Sequence, residues 1–246
     1  MRKIPVFRKT NNNPMTIGIF LSGSGTNFDA IVRYIKDKNI NDATIEFVFS
    51  NVPDCPGIKN AEKQGFTTFS LSSRNFFTKL GKPPDDEKSR KDYDMEILNI
   101  LSEFTETDII VLAGYRRKLS HIFYKTFSNR IINMYPGDIT KEYLITGIPA
   151  SLQALQNKEE EIKCTVYLDR EDIRFGSAIL QSKPLKLEGY TETNISELGS
   201  EIREKAEWIA LPYTIFEIIA REELSVDEKG NLYLNDILLN ENGFQL

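Results

Sequence analysis

The stretch from Ile17 to Ile35 constrains the fold more than any other part of this chain. Ile17-Gly18-Ile19-Phe20-Leu21 is an apolar run. Ser22-Gly23-Ser24-Gly25-Thr26-Asn27 is a small polar turn, and apolar residues then recur at 28, 31, 32 and 35. The last spacing marks one face of a helix. A buried strand therefore feeds a tight loop at a helix N-terminus. Unpaired N–H groups and the positive end of the helix dipole favour an anion there, most often a phosphate. Small residues let the backbone approach such a ligand closely. The loop has neither dinucleotide glycine spacing nor a Gly-Lys-Ser/Thr ending. On its own it leaves an ordinary strand-to-helix turn as the alternative.

Strand and helix patterns go on alternating. Thr44 to Ser50 reads as a strand, Gly57 to Gln64 as a short helix ended by Gly65, and Thr67 to Leu71 as another strand. Ser73 to Glu87 is polar and reads as an exposed loop. Ser89 is expected to cap a helix running to Phe104. Asp108 to Ala113 has the continuous apolar character of a strand buried on both faces, and Arg130 to Met134 forms a fifth strand. Further on, Cys164–Leu168 and Ser177–Ser182 read as strands joined by a charged turn. Asn194 to Ala220 reads as a long amphipathic helix bent at Pro212, and Asp227-Glu228-Lys229-Gly230 as a hairpin turn. Such alternation implies an α/β, Rossmann-like fold with a mostly parallel central sheet flanked by helices. The expected division is a flexible lead over 1–15, one domain over 16–220 and a C-terminal hairpin extension over 221–246. Ligands of open parallel sheets sit beyond the carboxyl ends of the strands. That puts 22–27, 114–117 and 133–137 on one rim.

Composition narrows the class. The 246 residues are 40% hydrophobic and carry a net charge of −5, which suits a globular protein and disfavours nucleic acid as a partner. No apolar run approaches the ~20 residues of a membrane span. The basic N-terminus lacks the apolar core of a secretory signal. Cys55 and Cys164 are far apart and have no metal-like companions. They read as reduced thiols of a cytoplasmic protein, and no metal is expected. A nicotinamide dehydrogenase is disfavoured, because Ser50-Asn51 stands where an acidic residue would end the second strand.

Several of these segments, taken in order, resemble the folate-dependent formyltransferases, and among them the branch acting on glycinamide ribonucleotide. The similarity rests on Ser22–Asn27, Phe49-Ser50-Asn51, Ser89-Arg90-Lys91-Asp92-Tyr93-Asp94, Val111–Leu119 and Arg130–Pro136. Glu207, five residues before Pro212, also matches. The resemblance implies a Rossmann-like formyltransferase fold. It implies transfer of a formyl group from the cosubstrate 10-formyltetrahydrofolate to the amine of a phosphoribosyl substrate such as glycinamide ribonucleotide. Gly25, Thr26 and Asn27 would hold the phosphate, Arg90 the glycinamide region, and Glu207 the ribose hydroxyls. Arg117 and Leu119 would border the folate pocket.

The same resemblance exposes a departure at the chemistry. The family uses an Asn-x-His pair and a later Asp. Here Asn133 is retained, Tyr135 occupies the histidine position, and ungapped counting puts Arg174 at the aspartate position. Asn133 is the expected oxyanion donor. Tyr135 could donate a second hydrogen bond, but a phenol with an unperturbed pKa near ~10 is a poor base at neutral pH. Arg174 stays protonated and cannot be a base. Asp172, one two-residue register change away, and Asp138 are the candidate replacement carboxylates; each can equally be a solvated turn residue. His121, the sole histidine, reads as a helix-end surface residue. An enzyme and a non-catalytic nucleotide-binding module both remain open. So does the role of the C-terminal hairpin, in docking or in a homodimer contact.

Overall fold

The computed structural model describes residues 2–8, 14–141, 143, 148–171 and 175–246. The architecture is α/β, with mostly parallel strands flanked by helices and an antiparallel sheet made by the C-terminal strands. The chain divides into two compact units, one made of Phe7–Ile132 with Asp169–Arg174, the other of Met1–Val6, Asn133–Leu168 and Phe175–Leu246.

In the first unit, Met15–Leu21 pairs in parallel with Ala43–Ser50 on one side and Ile109–Leu112 on the other, and Thr68–Ser70 extends the sheet beyond Ala43–Ser50. All four residues of Ile109–Leu112 are buried, as their unbroken apolar run requires. Phe20 is the hub of an aromatic core. Its ring centroid lies 4.8 Å from that of Phe49, 5.3 Å from Tyr115 and 5.4 Å from Phe123. Gly18 makes room for this packing: a Cβ there would sit 2.4 Å from the Phe47 ring and 2.8 Å from Ile110 Cδ1.

Two expectations need correction in this unit. Residues 73–87 are not all loop, since Ser73–Leu80 is a helix. Ser72 Oγ accepts the Asn75 N–H at 3.2 Å, and Gly81 ends the helix at φ 61° with its N–H turned back to the last carbonyls. Phe77 is buried, and the Phe76 ring lies 5.1 Å from that of Tyr93. Two adjacent aromatic residues were enough to seat a helix that its polar sequence hid. The next helix, Glu87–Ile100, is capped by Asp86 rather than by Ser89. The Asp86 carboxylate takes both the Ser89 N–H at 2.9 Å and the Ser89 hydroxyl at 2.6 Å. The helix stops at Ile100, and residues up to Phe104 form a separate 3-10 turn.

In the second unit, Thr165–Leu168 and Ser177–Gln181 pair antiparallel, and Phe244–Gln245 adds in parallel to the latter. Leu224–Asp227 and Leu232–Leu234 form the expected hairpin. Lys3–Pro5, read as part of a flexible lead, is a strand paired with Leu224–Asp227. The region 194–220 is helical as expected, but its path is not uniform. Ile195–Ile202 and Trp208–Tyr213 are α-helical, while Arg203–Glu207 and Thr214–Ile219 are widened π turns. Pro212 has no amide hydrogen to give the ladder, and wider turns flank it. No helix among the described residues is long and apolar enough to cross a membrane. Both cysteines are free and buried.

The Gly18 packing is directly testable. Gly18→Ala should lower the unfolding free energy by ~1–3 kcal/mol in urea denaturation, the usual cost of overpacking a full core. Unchanged stability would mean that Phe47 and Ile110 have room to yield.

Candidate functional site

The loop after the first long strand is built by glycine sterics and one hydroxyl. Gly25 is the N-cap of the Thr26–Lys38 helix at φ 78°, and no side chain caps that helix. A Cβ on Gly25 would lie 2.6 Å from Gly57 Cα, and one on Gly57 would lie 3.0 Å from Gly25 Cα and 3.0 Å from Gly23 O. Gly57 N–H donates to Gly23 O at 2.9 Å. The two backbones thus press directly on one another. Asn60, in the Pro56–Lys63 helix that begins just before Gly57, donates to Asp29 in the first turn of the Thr26–Lys38 helix. Ser22 Oγ donates to Asn51 Oδ1 at 2.6 Å and accepts the Arg116 N–H at 2.8 Å. Asn51 in turn donates to Ser73 Oγ at 3.0 Å. The ends of three strands are therefore joined through one serine. The expected rim segments 22–27 and 114–117 do meet there.

The Arg116–Ser120 segment is fixed at its far end by a buried acid. Asp94 is 1% exposed, and its Oδ2 accepts the Ser120 N–H at 2.5 Å. Burial pushes the Asp94 carboxyl up to about 6, against the opposing pull of the Ser120 hydrogen bonds and of the Arg90 and Arg117 charges. Arg90 and Leu119, expected at opposite sides of the reaction, share one 420 Å³ cavity with Lys118 and His121. Arg117 faces a different cavity, with its guanidinium 4.8 Å over the Phe77 ring and one nitrogen donating to Pro84 O at 3.2 Å. His121 begins the short helix His121–Thr126, is exposed, and pairs through Nδ1 with Glu171 at 2.5 Å. It is a helix-start surface residue, as its sequence context suggests.

Asn133, Tyr135, Asp138 and Glu207 lie in the other unit. Asn133 is half-buried within the Ile131–Tyr135 strand, and its Oδ1 accepts the Met134 N–H at 2.8 Å. That ties the carboxamide oxygen to the strand's own backbone. Tyr135 is half-buried in an aromatic group, 4.6 Å from the Phe175 ring and 6.2 Å from Tyr143. Gly137 is the residue that admits its ring, because a Cβ there would lie 2.7 Å from it. Asp138 uses one oxygen, Oδ1, to accept from Thr140 N–H at 2.9 Å, Thr140 Oγ1 at 2.7 Å and Gln181 Nε2 at 2.8 Å. It braces the loop. Glu207 is 8% exposed and sits at the end of a π turn. Its charge acts with burial to push the Cys164 thiol up. Asp172 and Arg174 lie outside the described residues.

Gly57 and Asp94 are the residues that reading the chain did not single out as functional. Gly57 looks like any helix-start glycine until the fold brings Gly25 against it. Asp94 looks like one more acid near a helix start. No metal-binding group of three or more His, Cys, Asp or Glu occurs among the described residues.

Residues 15–212 match the sequence profile of the family described as formyl transferase. The phosphoribosylglycinamide formyltransferase of Escherichia coli K12 is 31% identical over 182 residues, which is 74% of this chain and 78% of that one. The protein of the same name from Haemophilus influenzae is 27% identical over 235 residues, covering 93% and 97%. The trifunctional purine biosynthetic protein adenosine-3 of Gallus gallus is 28% identical over 225 residues, and there the chain spans only 20% of the relative's length. Among solved structures, phosphoribosylglycinamide formyltransferase from Coxiella burnetii superposes with a TM-score of 0.75 at 25% identity, over 95% of this chain and 100% of that one.

The buried Asp94 should leave a signature in stability. Its folded pKa, about 6, lies above the ordinary carboxylate value of 3.8. Its contribution is therefore fully present below pH 4 and is lost as pH rises through 6, by roughly 3 kcal/mol for a shift of this size. Asp94→Asn keeps an acceptor for Ser120 and removes the titration. The unfolding free energy of wild type minus that of Asp94→Asn should fall across pH 4–6.5. A flat difference would show that the carboxyl is ordinary.

Proposed function

Because this chain belongs to the formyl transferase family, we propose that it moves a formyl group from 10-formyltetrahydrofolate to the amine of a phosphoribosyl substrate of the glycinamide ribonucleotide type. The observation that carries this reading is the Ser22–Asn27 loop. It ends in a helix N-terminus without a side-chain cap, and it is clamped from behind by Gly57. That construction suits a phosphate held by main-chain amides at Gly25, Thr26 and Asn27. By the family's pattern Arg90 and Glu207 are the proposed ribonucleotide contacts, and Arg117 and Leu119 the proposed donor contacts, although Leu119 lines one cavity with Arg90 and Arg117 borders another. Relatives bearing the name phosphoribosylglycinamide formyltransferase support the choice of substrate class.

The chemistry asks for two things. When the amine nitrogen attacks the formyl carbon, the carbonyl oxygen becomes an oxyanion that needs donors. Asn133, at the position of the family's asparagine, is the proposed amide N–H donor. Tyr135 is the proposed phenolic O–H donor beside it. The second need is proton movement. As the carbon–nitrogen bond to the donor breaks, the proton lost by the amine has to reach the leaving nitrogen. With tyrosine at the histidine position, water carries it, with Asp172 as the candidate side-chain relay. A missing positioned acid–base group typically costs ~100- to 10,000-fold, so turnover should be slow and chemistry rate-limiting. The enzymatic reading is preferred to a binding module because the substrate-side residue types and the oxyanion donor are retained together.

Single-turnover transfer to glycinamide ribonucleotide tests this. Wild type should exceed background, and Asn133→Ala should reduce the rate ~100-fold or more with ribonucleotide affinity held within about twofold. Wild-type rates equal to background, or an Asn133→Ala rate equal to wild type, would defeat the proposal.

A further inference from the structure

The Ser73–Leu80 helix, which the transfer reaction does not call on, borders a second concentration of positive charge. Arg74, Lys82 and Arg117 line a 540 Å³ cavity together with Ser73, Phe77 and Pro84. Among the described residues no carboxylate lines it. Among the same residues none of these three cations forms an ion pair. Asp86 senses Lys82, and Asp94 senses Arg117, but both acids stand outside ion-pair distance. In a chain of net charge −5 this is a local reversal of sign. Three cations round one cavity repel each other, and an anion between them relieves that repulsion.

The three are not equivalent. Arg117 is held in place by the Phe77 ring and the Pro84 carbonyl, and its Nε is buried without a hydrogen-bond partner. Arg74 and Lys82 are exposed at the cavity's other positions, one on the helix and one just after the Gly81 turn. A preset guanidinium matches the paired oxygens of phosphate or carboxylate, and the other two supply mobile charge. An anion with a single charged group leaves some of these cations unsatisfied.

We infer that this cavity binds a small polyanion, a molecule carrying two or more phosphate or carboxylate groups. The test is calorimetric titration of the full chain at low ionic strength with tripolyphosphate and, separately, with citrate. At least one should bind saturably, with amide shifts at Thr78 and Gly81. The Arg74→Gln/Lys82→Gln double variant should bind about 10-fold more weakly. Binding of tripolyphosphate alone assigns a phosphate-bearing ligand, and binding of citrate alone a polycarboxylate. Both substituted residues are exposed, and an unfolding midpoint equal to wild type verifies the variant's fold. Saturable binding of neither probe overturns the inference. So does equal affinity in the double variant, or amide shifts confined to 22–27 in wild type. Arg117 also stands on the proposed donor side, but the titrations contain neither transfer substrate and the variant leaves Arg117 intact, so failure of one test is distinguishable from failure of the other.

Discussion

The Ser22 hydroxyl accepts one hydrogen bond and donates another, and the organisation of the first unit depends on both. Through the donated bond it reaches Asn51 at the end of the second long strand. Through the accepted bond it holds the backbone of Arg116, beyond the end of Ile109–Leu112. A glycine-rich loop is entropically costly to order, and this one is ordered from two sides. Ser22 fixes its beginning, and the Gly25–Gly57 contact fixes its end. What results is a helix start whose amides have a set direction. Preorganised donors bind an anion without the cost of ordering the loop at the moment of binding.

Asp94 has the matching role in the neighbouring segment. A carboxylate this deeply buried is expensive, and its acidity shows the cost. In return, Ser120 N–H is secured and the Arg116–Ser120 segment is held at both ends. The segment expected to border the formyl donor is therefore tied, through Ser22, to the loop expected to hold the phosphate. In the second unit the emphasis differs. The Asn133 carboxamide oxygen is held by backbone, Tyr135 is packed among aromatic rings, and Asp138 braces its own loop through one oxygen.

Much of this was legible in the residues. The strand–loop–helix unit at 17–35, the buried strand at 109–112 and the hairpin at 224–234 follow from periodicity and turn chemistry, and all are present. The ordered motifs from Ser22 to Pro136 were enough to suggest the family. What was hidden depends on contacts distant in sequence. The Ser73–Leu80 helix has only Phe76 and Phe77 to seat it, too few for a periodic signal. Asp86 displaced Ser89 as the cap because one carboxylate could take two donors from the same residue. Lys3–Pro5 became a strand only because an edge near the other end of the chain was open to it. Gly57 has no local mark at all; its importance is the space it leaves for Gly25. The π turns around Glu207 are likewise invisible to a 3.6-residue pattern.

The central claim is that the amides at Gly25, Thr26 and Asn27 clasp a sugar phosphate because Gly57 holds them in place. Titrating glycinamide ribonucleotide into isotopically labelled protein, with amide resonances read in wild type and Gly57→Ala, tests this directly. The account predicts saturable shifts at all three amides in wild type and markedly weaker binding in Gly57→Ala with the fold intact. Resonances that stay still at saturating ribonucleotide would contradict it.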